Sequence, residues 1–294
     1  MQRQLRTRYI PLCCRTVGTY VESDQTIVAA FFDLDKTIIS RSSTLAFGPS
    51  FYRHGLITRG EALRTAYAQL LFRLGGADHQ RMERIRAAVG ELCRGWPADR
   101  VSEIVRRHLH DTIQPLVYAD AWRLIAAHGR AGDDVIIVST SGQEMVGPIG
   151  DLLGASEVIA TQMEVADGLY TGQMEFWAYG EAKASRVREL AAKRGYRLPD
   201  CYAYSDSVTD LPMLEAVGHP RVVNPDRALR KIARERHWPV LAFGARSPAE
   251  RGDIGQKSPA GANLLAPAAK TARSRSPAPP SPAPGQARQN PPAG

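Results

Sequence analysis

The chain has 294 residues, 44% of them hydrophobic, enough for one large domain or for one domain carrying an insertion. Its formal charge of +8 sits at the ends: residues 1–20 hold +4, residues 245–294 hold +5, and residues 21–244 are left at −1. That distribution speaks against specific nucleic-acid recognition by the folded body, and no apolar run approaches 18 residues, which speaks against a membrane span.

In chain order, residues 1–22 read as a loose basic arm with neither a long apolar core nor a cleavage site, so no secretory leader is expected. The four cysteines, Cys13, Cys14, Cys93 and Cys201, form no CxxC pair, which points to free thiols and a reducing, cytoplasmic setting. "TIVAAFF" (26–32) is short, β-rich and nearly all apolar, the pattern of a central parallel strand buried on both faces. Residues 41–115 then contain no convincing strand. Within them "RGEALRTAYAQLLFRLGG", "DHQRMERIRAAVGELCRG" and "PADRVSEIVRRHLHDTI" have helical period and Gly or Pro punctuation. "LVYADAWRLIAAHG" predicts a helix leading into a second strand, "DVIIVS" (134–139). "VADGLYTGQMEF" alternates around Asp167–Gly168 and predicts a hairpin. "EAKASRVRELAAKRG" predicts a helix capped at Gly195. A third strand follows in "CYAYS" (201–205), then a helix in "TDLPMLEAVG", a fourth strand in "RVVN" (221–224) and a fifth in "PVLAF" (239–243). Residues 245–294 hold half of the twenty prolines and read as a disordered tail.

Strands alternating with helices predict an α/β fold. A Rossmann-like parallel sheet core would comprise residues 23–40 and 116–244, with a helical cap, residues 41–115, inserted after the first strand. An insertion there would sit over the carboxyl ends of the strands, where open α/β sheets bind ligands.

Three predicted strand ends carry polar residues: Asp33-Leu-Asp35-Lys-Thr37, Ser139-Thr140-Ser141-Gly142, and Ser205-Asp206-Ser207 with Asp210 just beyond. In a parallel sheet these ends lie along one edge, and four aspartates gathered there repel one another unless a cation neutralises them. Carboxylates and water suit Mg²⁺. Such a site suits a phosphoryl group: one aspartate can attack phosphorus, and a second can protonate the leaving oxygen and then activate water. Two carboxylates are needed because one cannot be nucleophile and proton shuttle at once.

In these motifs the sequence resembles the haloacid dehalogenase superfamily over roughly residues 26–243, and within it subfamily IB, the branch that includes phosphoserine phosphatases. The family's DxDxT matches "FFDLDKT". The resemblance implies Asp33 as nucleophile, Asp35 as general acid/base, and Mg²⁺ held by Asp33, Asp206 and the main-chain carbonyl of Asp35. It implies Ser139, with Thr140, and Lys183 as phosphate ligands, and Asp210 as support for the metal shell or for Lys183. The expected function is hydrolysis of a small phosphomonoester, phosphoserine or a relative, through an aspartyl-phosphate.

The departures from the family pattern bear on substrate. Phosphoserine phosphatases carry a glutamate shortly after the first motif, whereas this chain reads "ISRSSTLAF" with no acid. The usual Ser-Gly-Gly of the second motif is Ser139-Thr140-Ser141 here, and the usual Gly-Asp of the fourth is Ser205-Asp206. Arg41 or Arg64 could favour an anionic or lipid-like ester. Asp35 argues against dehalogenation, since dehalogenases lack the second acid. Phosphotransfer to an alcohol and a non-catalytic binding role with basic tails are the alternatives. His128 and Asp133 have the HxxxxD spacing of some acyltransferases, but "HGRAGDDVII" reads as a helix end, a turn and a strand start.

Overall fold

The computed structural model describes residues 27–58, 60 and 79–244. The basic arm, the Pro-rich tail, Arg64, Cys13, Cys14 and nearly all of "RGEALRTAYAQLLFRLGG" lie outside the described residues. Seven strands form one sheet: β1 (Ala29–Asp33), β2 (Asp134–Gly142), β3 (Glu157–Ala166), β4 (Leu169–Phe176), β5 (Tyr202–Ser205), β6 (His219–Val223) and β7 (Val240–Leu241). Their order is β4-β3-β2-β1-β5-β6-β7. Every pairing is parallel except β3 with β4, the hairpin. Asp167 and Gly168 turn it with φ of 50° and 78°, the left-handed pair that a two-residue hairpin turn needs.

Eight helices accompany the sheet among the described residues: α1 (Ser43–Arg53), α2 (His79–Cys93), α3 (Ala98–Ile113), α4 (Ala119–Ala131), α5 (Gln143–Leu153), α6 (Glu181–Arg194), α7 (Leu211–Glu215) and α8 (Arg227–Glu235). None is long and apolar enough to cross a membrane. Strand side chains alternate between two cores. Ala30 and Phe32 of β1 join the core that contains Val101 and Ile104 of α3 and Leu124 of α4. Ala29 and Phe31 join the opposite core, with Val187 and Leu190 of α6 and Leu229 of α8. All five residues of β1 are therefore buried, as its continuous apolar run predicts.

This topology places the site. β1 lies between β2 and β5, so all three strands with polar ends are neighbours. The chain leaves β1 on one side through β2, β3 and β4, then crosses back to add β5 on the other. The carboxyl ends of β1 and β5 thus border the switch point where open α/β sheets form a ligand crevice.

Within residues 41–115 the described residues hold three helices, α1, α2 and α3, and no strand. This helical insertion is joined to the hairpin by main-chain hydrogen bonds. Gly95 N donates to the Tyr170 carbonyl at 2.8 Å, Tyr170 N to that of Trp96 at 2.9 Å, and Ala98 N to that of Gly168 at 3.1 Å. Helices α1 and α5 were not anticipated from sequence. Both contain glycine and an internal proline, Pro49 and Pro148, which blur the helical period, and packing overrides the weak propensity.

Candidate active site

β1 delivers Asp33, 6% exposed, at its carboxyl end. The chain then turns tightly, with Lys36 at φ 66° and the N–H groups of Ile38 and Ile39 both donating to the Leu34 carbonyl. The turn aims the Asp35 carboxylate at the start of α1. Ser43 N–H donates to Asp35 Oδ1 at 2.9 Å, Ser141 Oγ donates to Asp35 Oδ2 at 3.4 Å, and the Ser43 and Ser141 hydroxyls lie 2.8 Å apart. Burial raises the pKa of Asp35 against the pull of the Ser43 N–H and of the Ser43 and Ser42 hydroxyls.

Gly180 opens α6 at φ 54°, ψ −125°, a conformation that only glycine adopts freely. One turn later Lys183 enters the site on the same helix face as Val187 and Leu190. Its Nζ lies 2.8 Å from Asp33 Oδ1 and 2.9 Å from Asp210 Oδ1, with the side chain 2% exposed. Asp210 Oδ2 in turn accepts from Ser205 Oγ at 2.7 Å. Burial works against the Lys183 ammonium, but Asp210 and Asp33 outweigh it and its pKa is raised. Burial drives Asp33 well above the usual carboxylate range, with Lys183 opposing and Asp210 and Asp206 adding to the rise.

Asp206 follows β5. Thr37 Oγ1 donates to its Oδ1 at 3.5 Å and Lys36 Nζ stands 3.9 Å from its Oδ2. Burial, eased by Lys36 and reinforced by Asp210, pushes Asp206 up to about 7. Four carboxylates therefore share this edge with two lysines, Lys36 and Lys183, which leaves a formal deficit that a divalent cation would fill. The Asp33 and Asp206 carboxylates, with the Asp35 main-chain carbonyl, could hold such an ion. Among the described residues no three acidic, histidine or cysteine side chains converge into a cage of their own. Mg²⁺ needs none, because one or two carboxylates with water and phosphate oxygens are its usual ligands.

The structure thus brings together Asp33, Asp35, Lys183, Asp206 and Asp210. Ser139 lies one residue past Val138, the register partner of Asp33, and its Oγ accepts the Ser141 N–H at 3.2 Å. Thr140 differs. Its hydroxyl donates to the Ala178 carbonyl at 2.8 Å, because alternation along β2 turns residue 140 to the face opposite Ser139 and Ser141. Arg41 is exposed.

Sequence reasoning placed Ser141 at a polar strand end but gave neither it nor Ser43 a role, and it missed Asp226. Asp226 accepts Val208 N–H at 2.9 Å and Leu229 N–H at 2.8 Å, so it caps α8 and braces the loop after Asp206. "NPDRAL", a Pro-Asp before a helix, was the available signal. Nothing in sequence pairs Ser43 with Ser141, 98 residues apart. His128 is fully buried, held by Asp133 at 2.7 Å and by the Tyr204 hydroxyl at 2.9 Å. Asp133 precedes β2, at the end of the sheet away from Asp33, so the HxxxxD spacing belongs to a structural contact.

A family model described as haloacid dehalogenase-like hydrolase matches residues 30–215. The chain is 61% identical over 216 residues to the "inhibition of morphological differentiation protein" of Streptomyces azureus, covering 73% of this chain and 78% of that one. It is 58% identical over 215 residues to a probable phosphatase of Mycobacterium tuberculosis, covering 73% and 75% respectively. A solved structure of a substrate-bound phosphoserine phosphatase shares the fold, with a TM-score of 0.56 over 74% of this chain and 94% of the other, at 19% identity. The chain belongs to the haloacid dehalogenase-like hydrolase family, and within it to the phosphatases.

Proposed function

We propose that the chain hydrolyses a small phosphomonoester with Mg²⁺ through an aspartyl-phosphate on Asp33. The observation that carries this reading is the Asp33–Lys183–Asp210 contact at the end of the central strand, with Asp35 held beside it. Lys183 holds Asp33 Oδ1, which leaves Oδ2 to attack phosphorus. As that bond forms, the ester P–O bond breaks, and the ester oxygen takes the proton of Asp35 and departs as an alcohol. Water then attacks the phosphorus and gives a proton to Asp35. The bond to Asp33 breaks, and inorganic phosphate leaves. Ser139 and Lys183 bind the phosphoryl oxygens through these steps. When bound by Asp33, Asp206 and the Asp35 carbonyl, Mg²⁺ neutralises phosphoryl charge that would otherwise repel the attacking carboxylate.

Residues 41–115 act as the cap in this reading and exclude water while Asp33 is phosphorylated. Serines and a threonine, Ser42, Ser43 and Thr44, stand after the first motif where phosphoserine phosphatases place an acid for the substrate ammonium. Phosphoserine remains one member of the substrate class, alongside other small esters.

The test is phosphate release from phosphoserine, sugar phosphates, nucleotides and glycerol phosphates, with Mg²⁺ and with chelator. Release is expected only with Mg²⁺, and Asp33→Asn is expected to fold, to bind Mg²⁺ weakly and to lose turnover. Near-native activity in Asp33→Asn would sink the mechanism.

A further inference from the structure

Asp35 is gripped from two elements far apart in sequence. Oδ1 accepts the main-chain N–H of Ser43, the first residue of α1. Oδ2 accepts the hydroxyl of Ser141 at the end of β2, and that hydroxyl is braced by Ser43 Oγ at 2.8 Å and Thr44 Oγ1 at 3.4 Å. Ser43 is fully buried and Ser141 is 8% exposed, so water competes little for these bonds. Ser141 stands where the resembling phosphatases carry the second glycine of Ser-Gly-Gly. The hydroxyl is a departure of this chain, and it lands on the one carboxyl group whose orientation governs proton transfer.

We propose that Ser141 is a positioning residue for Asp35, fixing the carboxyl group so that its proton meets the departing ester oxygen, and making that orientation depend on the docking of the first turn of α1. This inference rests on the phosphatase reading above. An aspartate carboxyl rotates in a broad, shallow torsional well, so one hydrogen bond does not define it and two on opposite oxygens do. Without the Ser141 hydroxyl, Asp35 keeps only donors from the α1 side, the Ser43 N–H and the Ser43 and Ser42 hydroxyls, and the acid is freer to swing. In the first step the P–O bond to the leaving group breaks while Asp35 gives its proton to that oxygen. An alkoxide cannot depart without this proton, whereas p-nitrophenolate is stable enough to leave with little help. A displaced acid therefore harms alkyl esters far more than activated aryl esters. A residue that merely supports the fold harms both equally.

The experiment compares kcat/KM of the full chain and its variants, with Mg²⁺, on the best alkyl phosphate of the panel and on p-nitrophenyl phosphate. Ser141→Ala is expected to lose about 10-fold on the alkyl ester and no more than about 2-fold on the aryl ester, a modest part of what a placed general acid supplies. Ser141→Thr keeps the hydroxyl and is expected to restore the ratio to within about 2-fold of wild type. Ser43→Ala is expected to shift the ratio the same way by less, because its N–H remains. Should Ser141→Ala fail to fold, Ser141→Gly, the residue of the resembling phosphatases, is read the same way. Equal losses on both esters, or none, would overturn the proposal while leaving the phosphatase reading intact. A wild-type chain inactive on every ester would remove that reading and this inference with it.

Discussion

Lys183 is a lysine on the apolar face of a helix, four and seven residues from the buried Val187 and Leu190. It can sit there because two carboxylates meet it, Asp33 at 2.8 Å and Asp210 at 2.9 Å. Removing one partner of a buried ion pair leaves the others without compensation. Lys183→Met is therefore expected to lower stability by about 3–5 kcal/mol at neutral pH, measured by urea unfolding. The loss should shrink in acid, where Asp33, whose pKa burial raises, takes up a proton. A variant within about 1 kcal/mol of wild type would mean that the carboxylates relax into solvent.

At the scale of elements, α2 approaches the hairpin at two glycines. A Cβ at Gly90 would collide with the carbonyl of Gly172, a main-chain atom that cannot step aside. Arg94 adds a hydrogen bond to the Thr171 carbonyl of the same hairpin. Gly90→Ala should push α2 off β4 at a cost of about 1–3 kcal/mol, visible as a lower melting temperature. The proposed phosphate ligands, Ser139 and Lys183, are untouched by this change. If α2 orients the insertion over the strand ends, KM should rise more than kcat falls. An unchanged melting temperature would show that α2 does not pack against the hairpin in solution.

At the scale of the molecule, the sheet order gathers four acids on one edge, and stability is therefore expected to depend on pH and, on the proposed function, on Mg²⁺. Asp206 has a folded-state pKa of about 7 against an ordinary value of 3.8, so between those values the folded state holds more protons than the unfolded state. With chelator present, its contribution to stability is full in acid and is lost as pH rises through about 7. On the proposed function Mg²⁺ would bind the ionised form, so its stabilisation should grow over the same window. At a concentration about 100 times its dissociation constant it would add roughly 2.7 kcal/mol. Melting curves from about pH 5 to about pH 8, with Mg²⁺ or with chelator, test both trends. Asp206→Asn should flatten them. A metal effect that does not change across this window would argue against Asp206 as a ligand.

By itself the sequence determined the elements whose signals are local. The apolar run before Asp33 could only be a doubly buried strand, Asp167–Gly168 could only be a tight turn, and Gly195 does end α6, at φ 77°. The acids at the ends of β1 and β5 were legible because a motif keeps its spacing within one loop. What tertiary structure alone decided is which of these ends meet, and on which face. It buried Lys183 between two acids, turned the Thr140 hydroxyl toward Ala178, and set Ser141 against Asp35. Such contacts depend on strand order, register and the two-residue alternation of a strand. Those are settled by packing of the whole sheet, and residues 98 apart carry no mark of it.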